Sequence, residues 1–408
     1  MNCRHCGNLL AQNFLDLGFA PPSNAYLSKK CLSSLETYYP LKVMVCESCW
    51  LVQTEDYADA DELFTEEYAY FSSTSRSFLK HAKDYSALII DRLNLSSESF
   101  VIEIASNDGY LLKNFLEGGI PCLGIEPTES TAKAARKLGI EVIEEFFGQQ
   151  FAKNFVASHQ KADLIIGNNV FAHVPDINDF TGGMKECLSL NGTITLEFPH
   201  LMNLIEHNQF DTVYHEHFSY LSLQAVSSIF SSAGLKIIDV DKLQTHGGSL
   251  RVYGCHAEDP RAINGSVKEL LAEEKHHKLN ILKTYTDFQS KANEIKDSFL
   301  TFLLEQKKQG KTVVAYGAAA KGNTLLNFAG IKTDLIKFVA DAAEAKQNKY
   351  MPGSHIPIVD PAYLVKAEFD FLLILPWNLA DEIYNQLKKE INPQVKFVTA
   401  IPKLKIFS

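Results

Sequence analysis

From Phe100 onward, short apolar runs alternate with amphipathic stretches of helical period, and few folds accommodate that order. Residues 100–105, 121–125, 163–167 and 192–198 read as strands, with helical patterns between them. Strands joined through helices pair in parallel, and a parallel sheet is stable only when helices cover it. After a helical pattern near 222–233, two further β runs at 235–240 and 249–255 flank a short segment containing His246, Gly247 and Gly248. That predicts an antiparallel hairpin closing the sheet.

Between about 266 and 309, the apolar residues Leu282, Tyr285, Phe288, Ala292, Ile295, Phe299 and Leu303 share one helical face, which predicts a long helix facing a core or a neighbouring domain. Beyond it, residues 312–317, 338–341 and 371–375 restart the strand–helix alternation and predict a smaller α/β unit. A length of 408 residues exceeds one ordinary core, and 46% hydrophobic residues suffice to fill two or three. The expected division is 1–65, then 66–260 with a polar helical connection at its start, then 261–408. A formal charge of −10, from 39 basic and 49 acidic residues, opposes approach to nucleic acid or an anionic membrane, so neither is expected as a partner. The N-terminus has no apolar run behind a basic start, and nowhere do about 18 apolar residues follow one another. A cytoplasmic location is the expectation.

Four of the eight cysteines form two pairs at two-residue spacing, Cys3/Cys6 and Cys46/Cys49. In a reducing compartment such pairs read as thiolate ligands of one tetrahedral zinc ion, because each short loop brings two sulfurs to the same point. Four thiolates leave zinc no open position, so the expected role is structural. A disulfide framework would need a secretory signal, and a redox pair would be single and close to a βαβ unit. Cys31 stands outside the pairs, and His5 is not expected to be a ligand.

The first strand of the alternating region ends in Glu103-Ile104-Ala105 and turns through Ser106-Asn107-Asp108-Gly109 into a helix. Open α/β sheets bind small ligands at such strand ends. About twenty residues on, the next strand closes on Glu126, where a carboxylate can grasp two ribose hydroxyls, and a further strand ends in Asn168-Asn169. The turn lacks the glycines that let a pyrophosphate lie against the backbone. Ser106, Asn107 and Asp108 would crowd and repel a pyrophosphate while offering partners to an ammonium group. These features point to S-adenosylmethionine, which carries no phosphate, and a parallel sheet ended by a hairpin is the build of a class I methyltransferase. One polar strand end alone would be an ordinary cap. Glu103, Glu126 and Asn168 at matched ends make a cofactor site.

Methylating carbon requires a base. The densest titratable cluster is Asp211-Thr212-Val213-Tyr214-His215-Glu216-His217, with His200 before it and His173-Val174-Pro175-Asp176 following an earlier strand. A histidine near neutrality can take a proton beside a ketone while a carboxylate or tyrosine orients it. His215-Glu216-His217 is not HExxH, and in an extended chain its two rings point to opposite faces, so a catalytic metal is not expected. Any single histidine here reads equally as a hydrogen-bonded core residue, but four polar residues in a row are costly to bury unless used.

At these residues the chain resembles the sugar C-3-methyltransferases of branched deoxysugar synthesis. The matching segments are Cys3-Arg-His-Cys-Gly7, Tyr68-Ala-Tyr-Phe-Ser-Ser73, Glu103-Ile-Ala-Ser-Asn-Asp-Gly-Tyr-Leu-Leu112, Gly124-Ile-Glu-Pro127, Asn168-Asn-Val-Phe-Ala-His-Val-Pro-Asp176, Tyr214-His-Glu-His217 and His246-Gly-Gly-Ser-Leu-Arg251. They follow the family order over nearly the whole chain. The resemblance implies a zinc-binding N-terminal domain, a cofactor domain, and a C-terminal Rossmann-like domain that helps hold a nucleotide-linked 4-keto-6-deoxyhexose, expected to be dTDP-linked. It implies His217 as the base at C-3, with Tyr214, Glu216 and His173 around the reacting carbons and Tyr68 or Tyr70 closing the site. Near the C-terminus, Val313 to Gly317 followed by Ala318-Ala-Ala-Lys321-Gly-Asn323-Thr324 reads as a strand, a small-residue turn and a helix start, an anion site to which Lys321 adds charge. Lys321, Asn323 and His246 are the expected substrate contacts, against plain helix capping with a solvated lysine. The competing functions are O- or N-methyl transfer on the same frame, a zinc-containing interaction protein, and a nicotinamide oxidoreductase.

Overall fold

The computed structural model describes residues 1–55, 72–74 and 76–407. The N-terminal strands are β1 (Gln12–Ala20), β2 (Tyr39–Val45) and β3 (Val52–Thr54). Then come β4 (Val101–Ile104), β5 (Cys122–Ile125), β6 (Glu141–Ile143), β7 (Ala162–Asn168), β8 (Leu188–Pro199), the short β9 (Ser219–Tyr220), β10 (Leu235–Leu243) and β11 (Ser249–His256). The C-terminal strands are β12 (Val313–Tyr316), β13 (Val339–Ala340), β14 (Ile358–Val359), β15 (Phe371–Ile374), β16 (Lys396–Thr399) and β17 (Lys405–Phe407).

These strands make three sheets. The central one has the order β10-β11-β8-β7-β4-β5-β6, parallel except where β11 runs antiparallel between β10 and β8. The predicted parallel sheet and closing hairpin are both present. The sheet of β14-β13-β12-β15-β16-β17 is parallel apart from β17. The first sheet, β1-β2-β3-β9, is antiparallel and takes its last strand from far along the chain, with Val52 opposite Tyr220 and Gln53 opposite Ser219.

One apolar core runs from the first sheet to the third. Phe14 of β1 stacks on Phe288 at 4.8 Å, Trp50 stacks on Tyr285 at 5.7 Å, and Phe302 meets Phe371 edge-on at 5.3 Å. The apolar face predicted for residues 282–303 is buried from Tyr285 onward, but the long helix is divided into Gly265–His276, Leu282–Thr286 and Phe288–Lys308. The break is a Schellman cap made without glycine. Lys278 adopts φ +61°, Lys278 N–H donates to Lys275, and Leu279 N–H reaches back to Glu274.

That break leaves Glu274 buried between the central sheet and its covering helices. Its carboxylate accepts from the backbone N–H of Leu223 (2.6 Å) and Gln224 (2.9 Å), capping the helix Leu223–Ser232, and lies 2.7 Å from His200 Nε2. Glu274→Ala therefore strands the buried His200 ring and Leu223 N–H and the part-buried Gln224 N–H. It should lower the unfolding free energy by roughly 3 kcal/mol, read as an earlier urea transition, whereas loss of an exposed acid such as Glu269 should leave the curve unmoved.

Candidate active site

The carboxyl ends of β4, β5 and β7 meet at one edge of the central sheet, with Glu103 of β4 beside Gly124 of β5 and Ile166 of β7. After β4 the chain turns sharply: Ala105, Asn107 and Gly109 all have positive φ, and at Ala105 and Asn107 the β carbon makes that conformation costly. Gly109 is required there, since a β carbon would stand 2.4 Å from Ile140 Cδ1. Glu126 holds the turn by accepting from Asn107 N–H at 2.9 Å and Thr128 N–H at 3.0 Å. From outside, the backbone N–H groups of Ser72 and Ser73 donate to the side chains of Asn107 and Asp108. Burial, with Glu126 and Asp108 nearby, pushes the Glu103 carboxyl well above the usual range. Among the described residues, Glu103 Oε2, Ser106 Oγ, Asp108 Oδ1 and Asn168 Oδ1 are buried without a hydrogen-bond partner. Buried polar atoms are rarely left so, and four around one turn fit a ligand rich in hydroxyl, amine and carboxylate groups. Asn169, at φ +56°, donates its N–H to Glu197 O at 2.8 Å.

Residues 214–217 form a turn closed by His217 N–H to Tyr214 O rather than an extended segment. The two histidines still diverge: His215 faces Tyr39, while the His217 ring lies 4.0 Å from that of Tyr214 and 4.6 Å edge-on from His173. His217 Nδ1 is 2.9 Å from Thr212 O and His173 Nδ1 is 2.8 Å from Glu216 O. A carbonyl only accepts, so each Nδ1 carries the proton and each Nε2 presents a lone pair. Burial depresses both imidazoles, His173 to about 4 and His217 well below the ordinary value, with His173, His246 and Lys321 adding to the effect on His217. The Glu216 carboxylate receives the Asn24 amide at 2.8 Å on both oxygens. Tyr68 and Tyr70 lie outside the described residues.

The C-terminal unit closes on this cluster. Lys321 donates to Asn378 at 2.7 Å, sits over the Trp377 ring, and is depressed by burial, an effect that Asp211 opposes. Trp377 Nε1 donates to Asp211 at 2.7 Å, and burial raises the Asp211 carboxyl to about 6 against the pull of Lys321 and Trp377. His246, at φ +55° and depressed to about 4 by burial and Lys321, stands edge-on to Phe78. Asn323 is turned toward the N-terminal region, its amide donating to Ser23 O at 2.6 Å, and Thr324 donates to Val213 O at 2.8 Å. Sequence reasoning passed over Asn24, Asp211 as the partner of Trp377, and a cluster at the β8 end in which Glu197 accepts from Arg251 and meets His81 at 2.7 Å. Only the acidic end of β8, in line with Glu103 and Glu126, signalled any of these.

At the N-terminus, the sulfurs of Cys3, Cys6, Cys46 and Cys49 all lie within 4.8 Å of one another. His5 is excluded as a ligand by its own bonds, to Asn178 Oδ1 at 2.9 Å and Ser228 Oγ at 3.1 Å. Cys31 is exposed and pairs with Ser28. Among the described residues, no helix is long and apolar enough to cross a membrane.

Three family models match successive parts of the chain: a zinc binding domain over residues 3–64, a methyltransferase domain over 78–240, and a C-methyltransferase C-terminal domain over 244–402. C-methyltransferase NovU of Streptomyces niveus is 33% identical over 406 residues, spanning 100% of this chain and 96% of its own. The chain belongs to this C-methyltransferase family. Among solved structures, it resembles magnesium protoporphyrin IX methyltransferase from Synechocystis PCC 6803 with bound S-adenosylmethionine (13% identity, 44% of this chain, 79% of that one, TM-score 0.34). It also resembles an S-adenosylmethionine-dependent methyltransferase from Clostridium acetobutylicum (11%, 44% and 92%, TM-score 0.35). At these scores the fold assignment rests on the strand order above.

This C-methyltransferase depends on S-adenosylmethionine and carries a four-cysteine zinc cluster. Four thiolates at that spacing are the donor set of a closed, tetrahedral structural zinc. One zinc per chain is expected by metal analysis. Cys46→Ser should bind it far more weakly, and it should lower the thermal midpoint because the zinc free energy is part of the folding free energy.

Proposed function

We propose that this C-methyltransferase adds a methyl group to C-3 of a nucleotide-linked 4-keto-6-deoxyhexose, expected to be dTDP-linked, with His217 as the general base. One observation carries the reading: Nδ1–H of a buried, neutral His217 donates to the Thr212 carbonyl and leaves Nε2 to accept a proton. The family motifs supply the sugar. The C-4 ketone acidifies the C-3 proton, which Nε2 removes, and the resulting enolate carbon is the nucleophile. Tyr214 and His173, packed on the base, orient it; Glu216, bound to Asn24, holds the turn on which it sits. Lys321 balances negative charge on the enolate or the diphosphate, and His246 borders the same space. Asn323 fixes the helix that carries Lys321.

The polar atoms of Glu103, Ser106, Asp108 and Asn168 that lack partners, with the turn residues Ala105, Asn107 and Gly109, and with Glu126 and Asn169, would hold S-adenosylmethionine. Bound there, it supplies an electrophilic methyl group on a sulfonium. Oxygen or nitrogen methylation would need alignment alone and would survive loss of the base.

His217→Asn should keep zinc and cofactor binding while methyl transfer to a dTDP-linked 4-keto-6-deoxyhexose falls by about 10²–10⁴-fold. With S-adenosylhomocysteine in place of the methyl donor, the parent should wash solvent deuterium into C-3 and the variant should not. Near-parental turnover by the variant would remove the assignment.

A second expectation follows from charge. Because the His217 pKa is lowered, the base stays neutral as pH falls through the ordinary histidine range, and its acidic limb in kcat/KM lies below 6.5. Removing the nearby cation eases protonation, so Lys321→Met should move that limb to higher pH. The limb must persist in Asp211→Asn, which separates it from the Asp211 carboxyl at about 6.

A further inference from the structure

Between the zinc ligands Cys3 and Cys6 stand Arg4 and His5, and both side chains reach out of the zinc module. Arg4 donates through Nη1 to the carbonyl of Pro175 at 2.6 Å and through Nη2 to the carbonyl of Thr54 at 3.1 Å. Its guanidinium also covers the Phe218 ring, 5.4 Å from the centroid. Pro175 is two residues beyond His173, and Phe218 follows His217. Thr54 in turn donates its N–H to Phe218 O at 3.1 Å and its hydroxyl to His217 O at 3.4 Å. The loop is held from behind as well: Asn178 Nδ2 donates to the carbonyls of Arg4 (3.2 Å) and His5 (2.8 Å), and Arg4 N–H donates to Gln53 Oε1, whose amide nitrogen lies 3.2 Å from Cys3 Sγ. One guanidinium thus spans the two loops whose histidine rings meet at 4.6 Å.

We propose that Arg4 is a positioning residue for proton abstraction, and that through it the zinc loop sets the placement of His173 and His217. This rests on the reading of His217 as the base. Two residues between two metal-bound sulfurs have little freedom, so with zinc in place the Arg4 backbone is a fixed point and its planar fork gives two carbonyls fixed directions. Without that anchor the loops at residues 173–176 and 214–218 keep the His173–Glu216 bond but lose the guanidinium that braces both against the zinc loop. Displacing a reacting group by about 1 Å costs on the order of 10²-fold in rate.

The test uses the full-length enzyme and Arg4→Met, which keeps an unbranched apolar stem and removes both donations, with Arg4→Lys as the conservative variant. Four quantities are measured: zinc per chain, S-adenosylhomocysteine affinity, the rate of deuterium entry at C-3 of a dTDP-linked 4-keto-6-deoxyhexose, and the His217 ring N–H resonance. That resonance is assigned in nitrogen-labelled protein by its absence from His217→Asn. Arg4→Met should keep zinc and cofactor affinity within about twofold, while exchange and kcat fall together by about 10–100-fold, with KM little changed and the resonance shifted or broadened. Arg4→Lys should recover part of the rate. Parental exchange and an unmoved resonance in a zinc-loaded Arg4→Met enzyme would overturn the proposal, as would a loss of rate that only tracks loss of zinc. If Arg4→Met does not fold, Phe218→Leu, which removes the ring beneath the guanidinium, takes its place with the same expected and contrary results. Failure of the base reading looks different: His217→Asn then exchanges like the parent, whatever Arg4 does.

Discussion

The pairing of β3 with β9 is the contact on which the site is built. Val52 and Gln53 leave the second cysteine pair and bond directly to Tyr220 and Ser219, the residues that follow His217 and Phe218. A two-residue strand has no stability of its own and exists only as an addition to a sheet already formed. The sheet it joins is built on the longer strands β1 and β2, and the four-cysteine cluster lies at the end where Gln12, Val45 and Val52 meet. The position of the proposed base is therefore inherited from the zinc module rather than from the cofactor domain in whose sequence it lies.

From the other side the same turn is held by the C-terminal unit. Thr324 bonds Val213, and the Trp377 indole bonds Asp211, so the residues leading into Tyr214 are fixed by one unit and those leaving His217 by another. The turn after β4 is separate, held by Glu126 at the edge of the central sheet and by the backbone of Ser72 and Ser73. On the proposed reading, the methyl donor and the base are positioned by different parts of the chain.

The parallel sheet and the polar strand ends were legible because both are written in local pattern: apolar runs of strand length, each ending in Glu103, Glu126 or Asn168. The short elements were not. β9 and β14 are each two residues long, and no periodicity can mark them. The break at Lys278 was invisible because its left-handed residue is neither glycine nor asparagine. Around the base, the residue types were conspicuous, but their partners Asn24, Asp211 with Trp377, and Arg4 come from distant segments, and distance along the chain leaves no trace in composition. Even the turn at residues 214–217 reads as extended until Thr212 and Tyr214 are seen to accept from His217.

The separation between β3 and β9 also bears on how the chain is made. Thr54 and His217 are 163 residues apart, so during synthesis the first sheet emerges with β3 as a bare edge and waits for most of the central domain to follow. An unpaired edge is a template for pairing with other chains. Lys42, beside β3 on β2 and within 3.7 Å of Glu55, puts charge next to that edge. Such contacts between remote segments form slowly, and the nascent protein passes through an interval in which the four cysteines have emerged and the turn at residues 214–217 that packs beside them has not yet been made.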